Sequence, residues 1–62
     1  MDQEEIKNLR KKLGLTTFEF ATLVGLRGKH RDRTAFRWES GASIPSLATE
    51  AKILKLMENN DG

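Results

Sequence analysis

Apolar positions along the 62 residues recur at helical spacing, and capping residues divide them into four segments. Ile6, Leu9 and Leu13 form the stripe of a first helix. Asp2 and Glu5 before it have the spacing of a capping box, Met1 with Ile6 supplies a hydrophobic staple, and Gly14 closes the segment. Thr16 and Glu19 repeat the S/T-x-x-E pattern, with Leu15 and Phe20 as the staple. This predicts a second helix from about Thr17 to Val24 that buries Phe20, Ala21 and Val24 and stops at Gly25. A polar loop follows to Arg31. Asp32 is placed to cap a third helix, running from about Arg31 to Glu39, that turns Ala35 and Trp38 inward and ends near Ser40 and Gly41. Pro45 keeps the next segment out of the α region, and Ser46 caps a fourth helix. That helix has two apolar stripes. Leu47, Ala51 and Leu54 are expected to face the core, and Ile53, Leu56 and Met57 form the second stripe.

No stretch alternates as a strand does, so the fold class is all-α: a compact four-helix domain over residues 1–58 with a fraying tail at 59–62. One small core is all that this length supports, which argues against a pocket for substrate and cofactor. The absence of cysteine removes disulfides and thiolate metal sites and is in keeping with the cytoplasm. The apolar runs fall far short of the roughly 20 residues that cross a bilayer. The net charge of +2 decides little, but its distribution matters. Arg27, Lys29, Arg31, Arg33 and Arg37 are opposed only by Asp32, a local excess of about +4 suited to phosphate. A solvated basic face of no further use has the same composition, so charge alone leaves both readings open.

A helix-turn-helix needs a small residue where its helices approach, a turn residue that tolerates positive φ, and apolar anchors for the second helix. Ala21, Gly25, Ala35 and Trp38 meet those needs in order. With Ile6-x-x-Leu9-Arg10, Gly14-Leu15-Thr16-Thr17, Phe20-Ala21-x-x-Val24-Gly25, Arg37-Trp38-Glu39-Ser40-Gly41 and Pro45-Ser46-Leu47, the chain resembles the Xre-type helix-turn-helix family of phage repressors and Cro-like proteins. The resemblance covers about residues 6 to 56 and implies a lambda-repressor-like fold. Between Gly25 and Trp38 the chain is about four residues longer than the family pattern. Either the turn is enlarged around Arg27 to His30, or the third helix begins one turn earlier. The family often adds a fifth helix, for which these residues leave no room.

The resemblance implies sequence-specific binding of double-stranded DNA by a small phage or bacterial transcriptional regulator, a repressor that needs no cofactor. Matched backwards from Trp38-Glu39, the residues Arg31, Asp32, Arg33, Phe36 and Arg37 take groove-facing positions. Arg33 and Arg37 share a helical face and suit bidentate pairing with guanine. Asp32 either caps its helix or accepts from a cytosine amine. Phe36 either packs on a thymine methyl or completes the core. Thr17 takes the family's phosphate-contact position, Arg27 and Lys29 lie in the turn near phosphate, and Arg10 takes the place of an arginine that pairs with the glutamate at Glu39.

His30 is the single histidine, so no metal site and no activated serine nucleophile can be assembled, and catalysis is not expected. Ile53, Leu56 and Met57 either form a homodimer interface or fold back on the first helix. Phe18 and Leu23 are further apolar residues where the family shows polar ones. The alternative function is a protein-interaction module, such as an antitoxin-like partner whose basic face meets an acidic protein. RNA binding ranks below both, because few aromatic residues are free to stack on single-stranded bases.

Overall fold

A computed structural model describes residues 2–60, with side chains through 59. It is all-helical, with the element order α1 (Gln3–Leu13), α2 (Thr17–Leu23), α3 (Arg31–Ser40) and α4 (Leu47–Asn60). Local chemistry accounts for most of the boundaries. Asp2 caps α1 by accepting from the Glu4 amide at 3.4 Å, and Gly14 closes it by donating to the Arg10 and Lys11 carbonyls. The staple partner Met1 lies outside the described residues.

The capping box of α2 is complete. The Glu19 amide donates to Thr16 Oγ1 at 3.1 Å, and the Thr16 amide donates back to Glu19 Oε1 at 2.9 Å. Ser46 Oγ accepts from the Thr49 amide at 3.3 Å and starts α4. That helix continues through Asn59 and Asn60, where the sequence suggested fraying, while residues 61–62 lie outside the described part.

The cap of α3 differs from expectation. His30 occupies the cap position without a side-chain bond, and its carbonyl accepts from the Arg33 amide at 3.0 Å. Asp32 lies inside the first turn, where its charge complements the helix dipole but its carboxylate is past the capping position. The extra residues therefore enlarge the connection over 24–30 and do not lengthen α3. Gly25 lies in this connection at φ 91°, a backbone angle that favours glycine.

The core draws on every helix: Ile6 and Leu9 from α1, Phe20 and Ala21 from α2, Val24 after it, Ala35 and Trp38 from α3, and Ile53 from α4. Helix α3 packs on both α2 and α1. Ala35 is fully buried, which lets α3 approach closely, and Trp38 fills the space one turn further on.

Helix α4 is rotated from the sequence-based expectation. Ile53 is fully buried, with Leu56 and Met57 packed beside it, whereas Leu47, Ala51 and Leu54 face solvent. The reason is volume. At roughly 100° per residue only one stripe can meet the core, and Ile53, Leu56 and Met57 cover more of it than a stripe with alanine at its centre. Ile53, Leu56 and Met57 thus belong to the core and not to a free surface. Among the described residues, no helix is long and apolar enough to cross a membrane.

Trp38→Ala is expected to cost about 3–5 kcal/mol, measurable by chemical denaturation, because it removes a large buried aromatic from a small core. In the wild type, blue-shifted Trp38 emission with poor acrylamide quenching is the matching spectroscopic outcome.

Candidate nucleic-acid interface

Turning about 100° per residue, α3 separates its side chains into two faces. Ala35 and Trp38 point inward, and Arg31 lies within a few tens of degrees of Trp38. Arg33, Phe36, Arg37 and Ser40 fall on the opposite side, and all four are exposed. Among the described residues, no hydrogen bond or ion pair engages the guanidinium of Arg33 or Arg37. Both remain available for a partner.

Arg31 is committed to the fold. Its Nε donates to the Gly28 carbonyl at 2.9 Å and its Nη1 to Thr22 Oγ1 at 2.9 Å. Its guanidinium carbon lies 4.5 Å from the centre of the Phe18 ring, a cation–π contact with an aromatic that is still 43% exposed. Thr22 Oγ1 in turn donates to the Phe18 carbonyl at 3.0 Å. Through these contacts Arg31 braces the loop over 24–30 against α2. Arg27 and Lys29 lie on that braced loop and are exposed.

On the other flank, α1 is tied to α3 by a forked pair. Arg10 Nε donates to Glu39 Oε2 at 2.7 Å, and Nη2 donates to Oε1 at 3.0 Å, with the side chains only 17% and 6% exposed. The remaining nitrogen, Nη1, donates to the Leu15 carbonyl at 3.0 Å, so one guanidinium also fixes the α1–α2 turn. The hydrogen bond to Glu39 raises the Arg10 pKa above its already high ordinary value, against a smaller opposing effect of burial. The stability linked to the Arg10 proton is therefore present below the unfolded-state pKa and falls as strongly alkaline pH passes the folded-state value.

Beside this pair runs a groove of about 600 Å³ lined by Lys7, Arg10, Thr16, Thr17, Phe36, Glu39 and Ser40. It brings Thr17 and Phe36 to one groove. It also includes Lys7 and Ser40, which residue-type reasoning passed over. The signal for Lys7 was its position three residues before Arg10 on the helix face that meets α3. Within the groove Arg10 offsets Glu39, leaving Lys7 as the excess charge. Asp32 is half-buried beside the outward stripe of α3, and Phe36 is 61% exposed, so it does not complete the core.

Over 53 residues the chain is 42% identical to the Type II methyltransferase M1.ScrFI of Lactococcus lactis subsp. cremoris. The matched stretch is 86% of this chain but 13% of the length of that protein. No family model matches the chain, and no solved structure matches it.

Arg31→Lys keeps the charge but loses the fork and the stacked plane, and it is expected to speed amide exchange across residues 25–30. Arg33→Ala and Arg37→Ala are expected to leave stability within about 0.5 kcal/mol of wild type, as surface substitutions do. Hydrogen exchange and thermal melts of the three variants check the division of the basic residues into structural and free.

Proposed function

We propose that this chain binds double-stranded DNA as an Xre-type, lambda-repressor-like helix-turn-helix, with α3 in the major groove. The observation that carries this reading is the outward stripe of α3, where two unengaged arginines flank an exposed aromatic. Four residues of helix advance by about 6 Å, close to two base-pair steps of about 3.4 Å, so Arg33 and Arg37 can address guanines two base pairs apart. Arg27 and Lys29 on the braced loop, with Lys7 and Thr17 at the groove, suit phosphates on either side. Asp32 lies close enough to this face to accept from a cytosine amine. The match to part of a Type II methyltransferase fits DNA as the partner, since a stretch confined to 13% of a longer protein is what a shared recognition module leaves.

In this reading the chain acts in the cytoplasm as a small phage or bacterial regulator that represses by occupying an operator, without catalysis or cofactor. Binding of an acidic protein by the same basic face would use its charge but not the axial spacing of its arginines. A further part of the proposal is pairing of two copies, which would set two α3 helices about 34 Å apart on successive turns of groove. The α4 surface suited to it is not Ile53, Leu56 and Met57 but the exposed Leu47 and Leu54, with Ile44 before them; Ile44 and Leu47 are 82% and 85% exposed.

Selection from random duplexes should return a defined site. On that site Arg33→Ala and Arg37→Ala should each lose about 1–3 kcal/mol and relax the base preference. Lys29→Ala should weaken all duplexes alike and reduce the salt slope by about one. Equal weakening of every sequence by all three variants would remove α3 as the reading helix.

For pairing, sedimentation at tens of micromolar should show a wild-type dimer and a Leu47→Glu monomer. Equal masses for the two proteins would exclude this surface.

A further inference from the structure

Phe36 is the residue of the outward stripe whose chemistry neither phosphate binding nor guanine recognition uses. The other two phenylalanines have partners within the fold, although Phe18 is still 43% exposed. Phe20 is fully buried, and Phe18 lies beneath the Arg31 guanidinium. Phe36 is 61% exposed at the edge of the groove that also holds Lys7, Thr17 and Ser40. It projects about 60° around the helix from Arg33 and about 100° from Arg37, and along the axis it lies between them. A ring in that position meets the base pair beside one read by arginine.

We propose that Phe36 reads the C5 methyl group of a pyrimidine in the major groove, and that the chain therefore responds to cytosine methylation within its site. The inference rests on the duplex-binding reading above and adds the chemical class of base addressed. The C5 methyl is the one apolar group that a base pair presents in the major groove, and an aromatic side chain is among the groups that contact it there. Thymine and 5-methylcytosine carry the methyl at the same ring position, while uracil and cytosine have hydrogen. A phenyl ring has no donor or acceptor with which to tell O4 from the N4 amine, so it accepts either methylated base. Arg33 and Arg37 supply the adjoining guanine, which makes a methylated pyrimidine beside guanine the preferred step. Lys7 and Thr17, in the same groove, are placed to hold the backbone of the strand being read, and Glu39 does not oppose this because Arg10 neutralises it.

The test uses the full chain and the duplex returned by selection, synthesised with thymine, uracil, cytosine or 5-methylcytosine at each pyrimidine position in turn, each base paired with its complement. At one position, wild-type protein should prefer thymine over uracil, and 5-methylcytosine over cytosine, by about fourfold, the equivalent of one buried methyl. Phe36→Ala should bind all four within about twofold of the ratios set by the base pair alone, and Phe36→Leu should keep part of the methyl preference. Arg33→Ala should bind more weakly with the methyl ratio intact. Because Phe36 is exposed, its variants should melt as wild type does.

Equal binding of methylated and unmethylated bases at every position, with Phe36→Ala weakening all duplexes alike, would overturn the proposal while leaving duplex recognition standing. A preference for thymine over uracil without one for 5-methylcytosine over cytosine would overturn the methylation response. Failure of the wild type to distinguish any duplex from any other would instead remove the underlying reading.

Discussion

A ten-residue helix that buries only Ala35 and Trp38 has too little apolar surface to fix its own angle, and the forked bond between Arg10 and Glu39 provides the missing constraint. Two parallel N–H···O bonds define a plane as well as a distance, so they hold α3 against both sliding and rotation relative to α1. The same guanidinium reaches the Leu15 carbonyl, which ties the start of α2 to the arrangement. The helical repeat puts Arg33, Phe36 and Arg37 on one side of α3, and the fork fixes how that side is oriented relative to α1. Replacing Arg10 with lysine would keep the charge and lose the planar fork that does the positioning.

The two flanks of α3 are held by different means. Toward its C-terminal end the Arg10–Glu39 pair is largely shielded from water, so salt weakens it little. Toward its N-terminal end Arg31 works at the surface, through one carbonyl, one hydroxyl and one ring. Arginine is thus used in two ways on one short helix. Arg31, at the inward angle, serves the fold, and Arg33 and Arg37, at the outward angle, are exposed.

Much of this was legible in the sequence where a residue acts on its near neighbours. The Thr16–Glu19 box, the stops at Gly14 and Gly41, and the inward Ala35 and Trp38 are local patterns with local causes. The pairing of Arg10 with Glu39 spans 29 positions and became readable only through the resemblance to a family. The features that the sequence does not make legible have separate causes. Arg31 shares the charge of its neighbours, but its angle on the helix is nearly that of Trp38. Helix α4 has two apolar stripes, and which of them meets the core depends on the tertiary packing that buries Ile53. The cap of α3 was assigned to Asp32 because of its chemistry, but the enlarged connection ended two residues earlier and left the cap to His30.

The brace on that connection also bears on the thermodynamics of association. A loop free to wander would have to be immobilised when Arg27 and Lys29 met a nucleic-acid backbone, and the lost entropy would be subtracted from the affinity. With Arg31 holding the Gly28 carbonyl and leaning on Phe18, that ordering takes place when the chain folds. A longer turn is thereby preorganised and extends the cationic surface without making its use conditional on a disorder-to-order step. Its contribution to association should accordingly appear more in electrostatics than in heat-capacity changes from coupled folding.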